Sequence, residues 1–198
     1  WVYVDDLAVV YKQSAEHSLM HSFAASLKKW DVEDEGELTD LLGIDFSNSG
    51  GVVGLNQSKY VERLYSTYLP EGMPQGVGDI SVPCGPELPN AVLDAQLQDQ
   101  ADVDRELLHQ YQSLVGALLY CATNTRPDVA YSVALLCRAM SRPTPQLLFL
   151  AQRVLCYLFE TRSLGLRYEA TSESLFGMTD SDWAVKHSTS GSVFMLNK

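Results

Sequence analysis

Two adjacent carboxylates, Asp5 and Asp6, stand between β-prone apolar runs in Trp1-Val2-Tyr3-Val4-Asp5-Asp6-Leu7-Ala8-Val9-Val10-Tyr11. The pattern predicts a tight strand–turn–strand hairpin over residues 1–11 with the acids at its tip. Paired carboxylates are hard oxygen donors of the kind that suit Mg²⁺ bound to phosphates. A rigid tip of this sort fits metal-assisted phosphoryl transfer, in which two ions about 3.5–4 Å apart clamp the attacking and leaving oxygens. The plainer alternative is a solvated acidic turn. A second constellation is Gln112, Gly116 and Tyr120. Their spacing places an amide, a gap and an aromatic ring on one helix face. On the residues alone that spacing reads first as a buried face, with Gly116 admitting a neighbouring helix.

The elements that position these residues follow from apolar period and turn chemistry. An amphipathic helix is expected over 14–30, with Leu19, Met20, Phe23, Leu27 and Trp30 near helical spacing and Ser14 as its cap. A strand around Leu41–Phe46, a turn over Ser47–Gly51 and a returning strand over Val52–Asn56 come next. A helix from Ser58 to Tyr68 turns Val61, Leu64, Tyr65 and Tyr68 inward. Residues 70–104 are rich in proline and glycine and read as a flexible linker. Leu107, Leu108, Tyr111, Leu114, Val115, Leu118 and Leu119 mark the next helix. Pro127 opens another, running to about Met140, and Pro143-Thr144-Pro145 precedes a third over 146–161. From Leu164 the period becomes strand-like, with strands near 164–168, 174–184 and 192–196 and a turn near Thr189-Ser190-Gly191.

The composition is globular: 46% hydrophobic and 20% charged over 198 residues. No apolar run reaches the roughly 18 residues of a membrane helix. Cys84, Cys121, Cys137 and Cys156 lack zinc-site spacing and read as core residues of a reducing, intracellular setting. The net charge of −11 argues against nucleic-acid binding by the chain as a whole. The charge is uneven. Asp31, Glu33, Asp34, Glu35, Glu37, Asp40 and Asp45 form an acidic block. Residues 126–167 carry Arg126, Arg138, Arg142, Arg153, Arg162 and Arg167 against only Asp128 and Glu160.

Six motifs fall in a known order: Tyr3-Val4-Asp5-Asp6; Leu41-Leu42-Gly43-Ile44; Leu55-Asn56-Gln57-Ser58-Lys59-Tyr60; Tyr111-Gln112-Ser113-Leu114-Val115-Gly116-Ala117-Leu118-Leu119-Tyr120; Ala122-Thr123-Asn124-Thr125-Arg126-Pro127-Asp128; and Thr179-Asp180-Ser181-Asp182-Trp183-Ala184. In that order, over nearly its whole length, the chain resembles Ty1/copia-type retrotransposon reverse transcriptases.

The resemblance implies an α+β fold: a partial palm of β-hairpins plus helix over 1–57, a helix and linker over 58–104, a helical thumb over 105–162, and the first strands of a ribonuclease H-like domain over 163–198. It implies that Asp5 and Asp6 bind Mg²⁺ as catalytic carboxylates, with Tyr3 under the primer terminus and Gly43 in a primer-grip-like hairpin. Gln112, Gly116 and Tyr120 would track the minor groove of a template–primer duplex, and the arginine-rich segment would meet phosphates. Asp180 matches the first metal-binding carboxylate of ribonuclease H. Asp182, two residues on in the same strand, has no settled role. Between Ala184 and Ser188 the chain is shorter than the family pattern.

The implied partners are template–primer duplex, deoxynucleoside triphosphates and the rest of a polyprotein, in a cytoplasmic particle or the nucleus, with no membrane and no secretion. Trp1 falls inside a strand-like run, as expected of a piece of a longer polypeptide. The third palm carboxylate and the later ribonuclease H acids are then expected outside these residues, and the chain alone is expected to lack both activities. Two other readings compete: a catalytically inactive element remnant that binds duplex or protein, and an unrelated α+β domain whose Asp5-Asp6 turn binds Ca²⁺ or nothing.

Overall fold

The structure is a computed structural model of the 198-residue chain and describes residues 2–3, 6–9, 17–30, 32–97, 104–169, 175–182 and 188–195. It divides into two compact units, Trp1–Leu41 and Leu42–Lys198.

In the first unit, β1 (Val2–Tyr3) pairs antiparallel with β2 (Asp6–Leu7), in the register Val2↔Leu7 and Tyr3↔Asp6. The expected hairpin is present, but Asp6 stands in a strand opposite Tyr3 rather than at the tip. Helix α1 spans His17–Leu27 and tightens into a 3-10 turn over Lys28–Trp30. The helix was expected from residue 14, and the proposed cap Ser14 lies outside the described residues. Phe23 and Trp30, expected on its apolar face, are exposed at 39% and 70%. The short strand β3 (Asp40–Leu41) closes the unit.

The second unit carries the core. Strand β4 (Ile44–Ser49) pairs antiparallel with β5 (Val52–Asn56) across the two-residue turn Gly50-Gly51. Strand β6 (Gly165–Glu169) pairs antiparallel with the other edge of β5, matching Leu55 with Leu166. A Cβ at Gly165 would run into the Leu55 carbonyl, so glycine lets the two backbones close. Sequence placed residue 164 onward at the start of a separate domain. Within those residues, β6 pairs with β5 of the β4–β5 hairpin.

Five helices form the body: α2 (Ser58–Tyr68), α3 (Glu87–Leu97), α4 (Arg105–Asn124), α5 (Ala130–Cys137) and α6 (Pro145–Glu160). Asp104 caps α4 by accepting from the Glu106 amide at 3.0 Å. Thr144 caps α6 from the Leu147 amide, with Pro145 opening the helix. Leu88 and Val92 of α3, Tyr111, Leu114, Val115 and Leu118 of α4, and Leu147, Val154 and Leu158 of α6 are buried in one cluster.

Helix α3 corrects the expectation of a linker over 70–104. Pro89 falls in its first turn, where amides have no intrahelical partner, so it does not break the helix. The loop before it is also fixed: buried Arg153 donates to the carbonyls of Asp79 and Val82.

The last strands, β7 (Phe176–Asp182) and β8 (Thr189–Met195), pair antiparallel, with Asp180 opposite Gly191 and Asp182 opposite Thr189. Thr189-Ser190-Gly191, expected as a turn, is therefore strand. The arrangement is a mixed α/β one with antiparallel pairing, compatible with the expected α+β class. All four cysteines are free, and burial pushes the thiols of Cys121 and Cys156 up to about 12 and about 11, as suits inert core residues. Among the described residues no helix is long and apolar enough to cross a membrane.

Candidate nucleic-acid interface

Helix α4 has two faces. Tyr111, Leu114, Val115, Leu118 and Cys121 are fully buried, whereas Gln112, Ser113, Gly116, Leu119 and Thr123 are exposed. Gln112, Gly116 and half-buried Tyr120 lie on the outer face, over about 12 Å of helix rise. A Cβ on Gly116 would meet nothing within 4 Å. Among the described residues, Gly116 is thus not a packing gap for a neighbouring helix.

Both ends of this line are anchored. Gln112 Nε2 donates to the Met140 carbonyl at 2.9 Å. Met140 lies between Arg138 and Arg142 in the chain. The next polar group, the Ser113 hydroxyl, lies 2.6 Å from the Tyr68 hydroxyl of α2. At the other end, the Tyr120 hydroxyl donates to the Leu42 carbonyl at 2.7 Å.

Leu42 and Gly43 form the turn into β4, with φ of 53° and 77°. Gly43 was expected inside a strand. Two successive positive φ angles make it a turn residue instead, in the pattern of type I′. Tyr60 and Arg63 of α2 line this turn: a Cβ on Gly43 would lie 3.5 Å from each side chain. Burial, with Cys121, Tyr120 and Tyr68 nearby, pushes the Tyr60 phenol up to about 12, so it stays neutral. Sequence missed Arg63. Its position after the Ser58-Lys59-Tyr60 motif gives no sign that it reaches the turn.

The carboxylates are less gathered. Asp6 is exposed on β2, and Asp5 lies outside the described residues, as does the Tyr3 side chain. Asp180 is exposed on β7 and accepts from the Ser181 amide at 2.9 Å. Carboxylates are the right donor type for Mg²⁺. Among the described residues, however, no group of three or more acidic, histidine or cysteine side chains is placed to hold an ion. The described set does not make a metal site.

Two members of the arginine-rich segment, Arg126 and Arg153, are turned inward. Arg126 is 2% exposed. Its Nε and Nη2 bind both oxygens of Asp128 at 3.0 and 2.7 Å, and its Nη1 and Nη2 reach the Thr161 carbonyl and hydroxyl. Tyr157 donates to Asp128 at 2.8 Å, and Thr125 donates to Gln57 across 68 residues of chain. Arg153 is buried, Arg162 pairs with Glu62, and Arg167 pairs with Glu169. The Asn124-Thr125-Arg126-Pro127-Asp128 motif is therefore the knot tying α4 and α5 to the end of α6. A phosphate-binding role for the whole segment is not available, since its most buried members hold the fold.

An α-helical body packed with an antiparallel sheet, and an outer helix face ending at a turn, define a mixed α/β protein. Comparison with known proteins supplies the rest. The chain is 30% identical to a protein of transposon Ty5-1 from Saccharomyces cerevisiae, covering 98% of this chain and 61% of that protein. It is 30% identical to an uncharacterized mitochondrial protein of Arabidopsis thaliana, covering 96% of this chain and 75% of that one. It is 29% identical to the retrovirus-related Pol polyprotein from transposon RE1 of Arabidopsis thaliana, covering 92% of this chain but only 12% of the polyprotein. No family model matches the chain. No solved structure matches it. The chain belongs to the copia-type retrotransposon Pol proteins. It spans about 61% of the Ty5-1 relative's length and far less of the polyprotein's.

Proposed function

We propose that this chain is the part of a copia-type reverse transcriptase that holds the template–primer duplex, with α4–α6 acting as its thumb. The observation that carries the reading is the open outer face of α4. Gln112, the bare backbone at Gly116 and the Leu42-Gly43 turn lie along one helix side, and among the described residues a Cβ on Gly116 would meet nothing within 4 Å. A shallow, largely uncharged track of this kind suits sugar and minor-groove contacts of a heteroduplex, which are read by shape. Arg63 at one end, and Arg138 and Arg142 near the other, supply cations for flanking phosphates.

In the complete polyprotein, Asp5 and Asp6 are proposed to contribute Mg²⁺-binding carboxylates for polymerisation from deoxynucleoside triphosphates. Asp180 on β7 is proposed to contribute to a ribonuclease H-like site. The setting is proposed to be intracellular. Asp5→Asn in the complete polyprotein should abolish primer extension and leave duplex binding intact. Unchanged extension would remove Asp5 from the site.

The duplex reading is tested on the 198-residue chain by fluorescence anisotropy with an RNA–DNA hybrid across salt. Three cationic contacts predict a slope of log K against log salt of about −2 to −3. No binding at low salt would overturn it. One observation favours a second reading, a protein partner: Leu119, 41% exposed, stands on the same outer face of a chain with net charge −11. Binding of a protein with little salt dependence, weakened by Leu119→Ser, would support that reading instead.

A further inference from the structure

Among the described residues, Leu42 is the one non-glycine residue with positive φ. The left-handed region is disfavoured for a residue with a Cβ, and such a conformation persists only where its surroundings hold it. The contact that holds Leu42 is long in sequence. Tyr120, 78 residues away, donates its hydroxyl to the Leu42 carbonyl at 2.7 Å. The Tyr120 ring is fixed in turn, edge-on to Tyr60 with centroids 5.2 Å apart and planes at 70°. Tyr60 and the Arg63 guanidinium back onto Gly43 from the other side.

We propose that Tyr120 is a positioning residue: its hydroxyl clasps the strained Leu42-Gly43 turn onto α4, so that the turn, Arg63 and the outer helix face present one preformed surface to the sugar–phosphate backbone of a duplex. The surface's use rests on the duplex reading above. The clasp rests on the turn geometry alone. In this account the hydroxyl of Tyr120 does not hold the nucleic acid. It sets the place of the backbone and cation that do.

The test compares wild type, Tyr120→Phe, and Tyr120→Phe combined with Leu42→Asn. Asn-Gly is the pair that a type I′ turn favours, so Leu42→Asn should keep the turn formed without the clasp. Two readouts are taken on the 198-residue chain: amide hydrogen exchange over residues 42–46, and anisotropy with an RNA–DNA hybrid. Losing one net hydrogen bond should speed exchange over 42–46 about fivefold in Tyr120→Phe. Hybrid binding should weaken by a similar factor, and the double variant should restore both. Unchanged exchange in Tyr120→Phe would overturn the clasp whatever the duplex does. Exchange restored by Leu42→Asn without restored binding would overturn the positioning role, because the hydroxyl itself would then touch the duplex. If the wild-type chain does not bind the hybrid, the duplex reading falls and the exchange comparison alone upholds or overturns the clasp.

Discussion

Helix α4 keeps Leu114, Val115, Leu118 and Cys121 fully out of water, whereas on the β7–β8 hairpin Met178, Val193 and Phe194 are each more than half exposed. The β1–β2 hairpin, which carries Asp6, has two residues per strand. The residues that could do chemistry with a metal therefore sit on thin two-stranded ribbons. The residues that could hold a duplex sit on a packed helical body. A lone two-stranded hairpin is marginal in water, while a helix with a buried stripe is held by its neighbours. The contrast teaches that the face proposed to hold a duplex and the carboxylates proposed to do chemistry are separately supported in this chain.

The comparison can be broken by substitution, beginning with the helical body. Arg126→Ala should destabilise it by about 4 kcal/mol, because it removes the four hydrogen bonds that this buried side chain makes to Asp128 and Thr161, leaving Asp128 only the bond from Tyr157. A urea midpoint unchanged from wild type would show that the knot is not structural. Leu118→Ala, at a position with no exposure, should cost about 3 kcal/mol, while Phe194→Ala on β8 should stay within about 0.5 kcal/mol. Equal losses in calorimetry would erase the distinction between the two regions.

Acid sharpens the same contrast. Burial pushes the Asp128 carboxyl up from its ordinary 3.8, but hydrogen bonds from Arg126 and Tyr157 and the Arg126 charge outweigh this and hold it lower. A carboxyl depressed on folding stabilises fully above its unfolded value and loses that contribution as pH falls through its folded value. Stability should thus drop below about pH 4, and Asp128→Asn should lower stability at neutral pH and flatten this acid limb.

Gly116→Ala should raise stability by up to about 1 kcal/mol, since alanine favours helix and its Cβ meets nothing. A loss would mean that the outer face packs against something. The smallest effect is expected from Asp180→Asn, within about 0.5 kcal/mol on the exposed hairpin. A large change in either direction would give that strand a structural role the exposure does not suggest.

Much of the body was legible. The apolar period located α2, α4 and α6, Pro143-Thr144-Pro145 marked the break before α6, and the i, i+4, i+8 spacing placed Gln112, Gly116 and Tyr120 on one face. Helix α3 was masked by Pro89 and by the prolines and glycines that precede it, although Leu88, Ala91, Val92 and Ala95 already had helical spacing. The pairing of β6 with β5 joins residues more than a hundred apart, which no local pattern reveals. Charge pattern could not tell that Arg126 and Arg153 point inward, because a buried arginine and a solvated one look alike until their partners are placed. The positive φ at Leu42 was hidden for a related reason: leucine does not advertise a left-handed turn, and the clasp that enforces it comes from α4.

The account stands most directly on the space above Gly116. Hybrid binding should be measured for the 198-residue chain, Gly116→Ala and Gly116→Trp at one low salt concentration. The account predicts that alanine leaves affinity within about twofold and that tryptophan, filling the open track, lowers it at least tenfold while the fold melts as before. Equal binding by all three would contradict it, and the outer face of α4 would then not be where a duplex lies.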